Sequence, residues 1–475
     1  MKKFRLVFGV ALTFLLASCD FEIGSSTASS NYVNYTISLN QISDEKGWVH
    51  ISDSDGNIIE GEYADPFDST IYIKYQQEKN SGHDYDFEDA FSNEMGYYSA
   101  IFDRHNYYSY EGKLLNNVRV INESYGTGEA VVVPDILYSA LKEALDFSLI
   151  TNDKFSIGIG NLSSLWDAYI STAGSIPSNY AEESALQQRL IYTDVGSSYV
   201  ELARNTSPTP EILESMLVFN DEDKSITFNS NPVIDAYVEE HSDVVNQLKI
   251  SSTALDLSKP SITLGGFGKG AATQLFADDH DDLSYLINSG NSSIKCVNEK
   301  LDGTDWELSV ANPYYYEASK SGNPDYTINS ADIYLVRGGS FDLSTSGYYE
   351  QYYYAYKDEG YVLRHHILNP LTGYSNDYFA STSVVVADSS YADMYTTALM
   401  NTSSISEAEN LRATMDEFTG LSSEAYYLIN KNVNGEKSTT CYASSALEDS
   451  FHFLTDDYQN SYPEDPITTI EVIRD

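Results

Sequence analysis

Two stretches near the C-terminal end hold the residue types from which chemistry could be built. The first is Arg364-His365-His366-Ile367-Leu368-Asn369-Pro370-Leu371-Thr372-Gly373-Tyr374. It sets adjacent histidines before a turn made by Asn-Pro and Thr-Gly, so a titratable imidazole stands beside a tight bend. In an extended segment the two rings point to opposite sides. The second is Val384-Val385-Val386-Ala387-Asp388-Ser389-Ser390-Tyr391-Ala392-Asp393-Met394-Tyr395-Thr396-Thr397-Ala398-Leu399-Met400. Its β-branched run ends at Asp388-Ser389-Ser390, good N-cap residues, so a strand is expected to turn directly into a helix. Asp393 and Thr397 then share one helical face and offer a carboxylate and a hydroxyl. Hard oxygens at a helix start suit Mg²⁺ holding a phosphate group. The same pattern also serves a helix dipole partnered by Asp and a packed Thr.

A third stretch, Leu264-Gly265-Gly266-Phe267-Gly268-Lys269-Gly270-Ala271-Ala272, puts four glycines around one lysine. Glycine permits close backbone approach, and Lys269 offers a point charge to phosphate. The spacing is not that of a P-loop, and taken by itself the stretch is more ordinarily a glycine-rich turn from strand into helix.

The elements that would position these residues fit in one large domain with an extension, or in two domains. The chain has 475 residues, 42% of them hydrophobic and 21% charged, enough for a large core. Its 71 acidic and 27 basic side chains leave a formal charge of −44. That balance argues against nucleic acid and anionic membrane surfaces as partners, so a phosphate ligand would need a cation. The 40 tyrosines suit half-exposed strand and interface positions.

Met1 to Arg5 carries three basic residues, and Leu6 to Ala17 is almost entirely apolar, as in an export signal. The segment is too short to stay as a spanning helix. It ends in Leu16-Ala17-Ser18-Cys19, which resembles a bacterial lipobox, with Cys19 the lipidated residue after removal of residues 1–18. The expected location is the extracytoplasmic face of a bacterial cell membrane, held by lipid. Residues 20–40 read as a tether, and a short β-prone extension follows to 62. Cys296 and Cys441 could pair, but their spacing does not decide it.

Pro66 to Tyr75 alternates as a strand, a helical stretch follows to about Asn106, and Pro134 opens a helix. Runs at Leu217–Phe219 and Ser225–Phe228 predict a hairpin. A polar helix is expected from Asn231 to Leu248, and a strand ends at Leu286-Ile287-Asn288-Ser289-Gly290-Asn291. Helices and strands mix without βαβ rhythm, which makes the fold class α+β.

Taken in order, Thr151-Asn152-Asp153-Lys154-Phe155-Ser156, Leu162 to Trp166, Gly265 to Gly270, Leu286 to Asn291, Ser344-Thr345-Ser346-Gly347-Tyr348-Tyr349-Glu350, His366 to Gly373 and Ala392 to Thr397 form a spaced set. The set resembles the FAD:protein FMN transferase (ApbE) family over roughly residues 67–450. The resemblance implies an ApbE-like mixed fold over 63–455, followed by a tail at 456–475. It also implies an enzyme that takes FAD as substrate, attaches FMN through a phosphoester to a Thr or Ser of a partner protein, and releases AMP. No acceptor domain is recognisable in the chain, so the acceptor would be a separate exported protein. Carried over by position, Gly266 (through its carbonyl), Asp393 and Thr397 match the Mg²⁺ ligands. Lys154, Phe155, Ser156, Thr263, Lys269 and the Ile367 backbone fall at flavin-contacting positions, and His366 is the candidate base. The chain departs from the family pattern at four places. Ser156 and Thr263 stand where Asp is usual, His105 stands where Tyr is usual, and Asn288-Ser289-Gly290-Asn291 replaces Asn-x-Gly-Gly. Two alternatives remain open: a Mg²⁺-dependent FAD pyrophosphatase, and a flavin-binding lipoprotein without turnover.

Overall fold

The computed structural model describes residues 31–42, 47–81, 84–174, 194–251, 255–311, 313, 332–357, 360–433, 436–444, 451–453 and 467–473. Cys19 and the segment 1–18 lie outside them. Among the described residues, nine strands form one sheet whose spatial order follows the chain: Tyr32–Leu39, Ile71–Glu78, Tyr285–Ser289, Ser293–Val297, Phe341–Gly347, Phe379–Val385, Glu424–Val433, Glu436–Ser444 and Ile467–Ile473. Every neighbouring pair is antiparallel except the last, which is parallel. The sheet therefore takes in strands on both sides of the 63–455 span expected from the sequence.

Strand alternation assigns the two faces. Ile71, Ile73, Tyr285, Ile287, Val384 and Tyr427 enter one core, which they share with Phe91, Leu141, Phe276 and Met394 of the helices. Tyr72, Leu286, Leu343, Ala380, Tyr426 and Leu428 point the other way, to a core that includes Trp306 and Leu308 of a smaller sheet. Cys296 and Cys441 are both buried in this second core, and no disulfide joins the two. A third core joins the Gly160–Gly174 helix, through Leu162 and Trp166, to the Tyr352–Lys357 and Gly360–His365 hairpin. Helices and strands are thus segregated on a mostly antiparallel sheet, the α+β class read from the sequence.

Local signals held where they were strongest. Asp388 caps the Ser389–Met400 helix, accepting from the Ser390 and Tyr391 amides, and Asp135–Ile150 follows Pro134. The Leu217–Asn220 and Ser225–Phe228 strands pair as a hairpin. Three expectations change. The tether expected over residues 20–40 contains the Tyr32–Leu39 strand, which the Ile71–Glu78 strand pairs along its whole length. The strand expected from Pro66 begins at Ile71, because Phe67 (φ 50°) and Asp68 (φ 54°) take left-handed conformations in a turn. That strained turn is held by the Phe67 amide donating to Ser99 Oγ (2.9 Å) and by the Phe67 ring lying against Phe102. The helix expected over 231–248 is two, Pro232–Glu240 and Ser242–Ser251, broken at His241. No helix of the described residues is long and apolar enough to cross a membrane.

Candidate functional site

The site is built where the glycine-rich stretch crosses the helix that carries Asp393. The Gly268–Asp279 and Ser389–Met400 helices pack so closely that a Cβ on Gly270 would lie 2.0 Å from the Ser389 carbonyl oxygen and 2.9 Å from Asp393 Cγ. A Cβ on Gly266 would come within 3.3–3.4 Å of the Thr397 side chain. Gly266 thus faces Thr397 while Gly270 faces Ser389 and Asp393, so the segments pass in opposite senses. Glycine at 270 serves helix-to-helix approach, where the sequence alone had also left ligand approach open.

Asp393 is 7% exposed. Its Oδ2 accepts the Gly270 amide (2.7 Å), and its Oδ1 accepts both the Ser344 hydroxyl (2.6 Å) and the Ser293 hydroxyl. Burial pushes the carboxyl above its ordinary value, while these donors and the Lys269 charge pull the other way. Lys269 Nζ would lie 2.8 Å from a Cβ on Gly290, and Ser69 Oγ 2.3 Å from it. The lysine therefore leans over the turn that departs from the family pattern. Thr397 Oγ1 donates to the Gly266 carbonyl at 3.2 Å. Two cis ligands of an octahedral Mg²⁺ sit about 3 Å apart, given bond lengths of about 2.1 Å. This oxygen pair, with a carboxylate one helical turn away, fits such an ion.

Asn401, which sequence reasoning missed, ties the other stretches to this crossing. It is the C-cap of the Ser389–Met400 helix, and its amide reaches the Lys154 carbonyl (2.9 Å), the Leu368 carbonyl (3.0 Å) and the Thr397 carbonyl (3.3 Å). Lys154 Nζ is itself committed to Glu407 (2.8 Å) and the Asn401 carbonyl (3.0 Å), so its ammonium serves the helix end. Phe155 is core, T-shaped on Phe147, and its ring would stand 3.2 Å from a Cβ on Gly266. Ser156 Oγ is buried and accepts the Gly158 amide. Thr263 donates its amide to the Ile157 carbonyl (2.9 Å), and its Oγ1 accepts from Gly265, which joins the 155–158 and 263–266 segments. His105 is held apart from these contacts. Its amide donates to Asp103, its carbonyl accepts from Arg119, and the neighbouring Arg104 is bound to Gly160 and Asp167.

The two histidines separate cleanly. His365 is 0% exposed, with Nε2 2.8 Å from the Asn376 carbonyl oxygen and Nδ1 accepting the Ile367 amide at 3.3 Å. A carbonyl only accepts, so Nε2 carries the hydrogen and both ring nitrogens are used. Burial lowers its pKa to about 4. His366 is half-buried and has the opposite tautomer, because its Nδ1 faces the Gln351 carbonyl at 3.2 Å. The neutral His366 ring therefore keeps its lone pair on Nε2. The hairpin behind it is braced by Arg364, bidentate to Asp194 and over the Tyr374 ring, and by Trp166 Nε1 donating to the Gly373 carbonyl.

The sequence profile of the ApbE family matches residues 67–417. The chain belongs to the ApbE family. Its fold is shared with the flavin transferase ApbE from Vibrio cholerae, at 14% identity and a TM-score of 0.53, covering 89% of this chain and 100% of that one. Pseudomonas stutzeri flavinyl transferase ApbE, in its apo form, gives 14% identity and a TM-score of 0.52 over 89% and 98% of the two chains. The ApbE protein of Thermotoga maritima gives 18% and 0.50 over 77% and 93%. Among curated proteins none matches. At these identities the likeness establishes the shared ApbE fold.

Proposed function

We propose that this protein is a Mg²⁺-dependent FAD:protein FMN transferase. The acceptor is an exported protein that presents a Thr or Ser hydroxyl. The observation that carries the reading is the Gly266 carbonyl paired with Thr397 Oγ1 in a chain of this family, one helical turn along the same helix from the Asp393 carboxylate, with the Lys269 charge acting on Asp393. A cation held by these oxygens would neutralise the pyrophosphate of FAD, which so acidic a protein otherwise repels.

The chain's own groups then divide the work. Lys269 donates to phosphate oxygens as charge builds on them. The acceptor oxygen attacks the FMN-side phosphorus, that phosphorus loses its bond to the bridging oxygen, and AMP leaves with that oxygen. His366 Nε2 takes the hydroxyl proton. His365 is unsuited to that role, because both its nitrogens are engaged and it binds a proton only near pH 4. The backbone amide of Ile367 is given to His365, which leaves its carbonyl as the group with which it would meet a flavin.

Export and anchoring belong to the same proposal. The Leu16-Ala17-Ser18-Cys19 ending supports a lipid on Cys19 that places the domain on the extracytoplasmic face of a bacterial cell membrane, where an exported acceptor is met.

The test is incubation with FAD, Mg²⁺ and a candidate acceptor, reading covalent mass gain on the acceptor and AMP release. FMN and AMP formed without mass gain would instead identify a pyrophosphatase, with water as nucleophile. Asp393→Ala should lose Mg²⁺-dependent turnover, and wild-type activity in that variant at limiting Mg²⁺ would sink the metal assignment.

A further inference from the structure

Ser293 and Ser344 are Cα partners on adjacent antiparallel strands, so their side chains stand side by side on the sheet face that meets the Ser389–Met400 helix. Both are buried, and both hydroxyls donate to the same atom, Asp393 Oδ1. A carboxylate oxygen has two lone pairs in its plane, so Oδ1 is filled, whereas Oδ2 accepts only the Gly270 amide and keeps one. Two rungs along the same ladder, and so on the same face, Lys295 is opposite Asp342 in an ion pair of 2.6 Å. There Asp342 accepts the Ser389 hydroxyl, and Lys295 donates to Gln274 Oε1, which also takes the Ser389 amide at 3.0 Å. One rung sets where the helix starts, and the other sets how Asp393 is turned.

We propose that Ser293 and Ser344 are positioning residues for the cation: by saturating Oδ1 they present Oδ2 as the ligating oxygen. This rests on the metal reading above. Outer hydrogen bonds of this kind orient a ligand before the ion arrives, and their loss weakens metal binding about 10–100-fold.

The experiment is Mn²⁺ binding, followed by the loss of the free-ion electron paramagnetic resonance signal, to wild type, Ser293→Ala, Ser344→Ala and the Ser→Thr variants. Each Ala variant should bind Mn²⁺ about 10–100-fold more weakly while binding FAD without metal as wild type does. At saturating Mg²⁺ its turnover should return to within a few-fold of wild type, and the Thr variants, which keep the hydroxyl, should retain affinity. Each single Ala variant leaves Asp393 two donors; should one fail to fold by circular dichroism, the other reports on the same oxygen. Folded Ala variants with unchanged Mn²⁺ affinity, or Thr variants as weak as Ala, overturn the proposal. Wild type that binds no Mn²⁺ overturns the metal reading itself.

Discussion

Replacing His365 by Phe tests the division of labour between the two histidines. Phe keeps the buried ring but leaves the Asn376 carbonyl and the Ile367 amide without their partner. An orphaned buried polar group costs about 1–3 kcal/mol, so at pH 7.5 the variant should be less stable by on the order of 3 kcal/mol. The pH dependence is the sharper signature. In the unfolded chain the imidazole titrates at 6.5, and in the folded protein burial lowers this to about 4. Between those values the unfolded state binds more protons, so the wild-type contribution is complete above pH 6.5 and is lost as the pH falls toward 4. A shift of this size corresponds to roughly 3 kcal/mol by pH 4, which the Phe variant does not lose. Urea unfolding of both proteins, stepped from pH 7.5 to 4, should show a gap that starts near about 3 kcal/mol and closes as the pH drops. Comparing the two chains cancels the titration of every other group. A gap independent of pH would refute the neutral, doubly engaged imidazole, and no gap at pH 7.5 would refute both hydrogen bonds.

Other outcomes follow from the same geometry. His366→Asn should slow FMN transfer by about a hundredfold or more while leaving FAD affinity and the unfolding midpoint near wild type; loss of FAD binding would make His366 a ligand contact. Lys154→Met removes the Glu407 pair and the bond to the Asn401 carbonyl, and should cost about 1 kcal/mol of stability. It should not change the FAD dissociation constant, and a tenfold rise would restore Lys154 as a flavin contact. Cys19→Ser should leave the protein without lipid, with unchanged transfer in solution; diacylglycerol found on the variant by mass spectrometry would overturn the anchor.

The sequence carried much of the site because its signals were local. The Asp388 cap and the four-residue spacing from Asp393 to Thr397 are properties of one helix and could be read from its own residues. The opposite-side placement expected of the neighbouring histidine rings is not what the fold gives: His366 lies past the end of the Gly360–His365 strand, and the two rings meet edge to face with centroids 6.5 Å apart. Where a reading needed a distant partner it ran out. Phe67 and Asp68 looked like strand until Ser99, 32 residues away from Phe67, was seen to take the amide that a ladder would have used. Nothing in Arg-His-His-Ile announces that the His365 ring is buried against Asn376 and Ile367.

What the chain alone determined is the α+β character, the helix that begins at Asp388 and the candidate oxygens on it, because periodicity and capping act over a few residues. The tertiary structure decided which glycine lies under Asp393, which lysine serves a helix end, and which nitrogen of each histidine keeps a lone pair. Those outcomes rest on contacts such as Ser293 to Asp393 across 100 residues and Thr397 to Gly266 across 131. Packing of the sheet against its helices brings such partners together, and no local pattern records them.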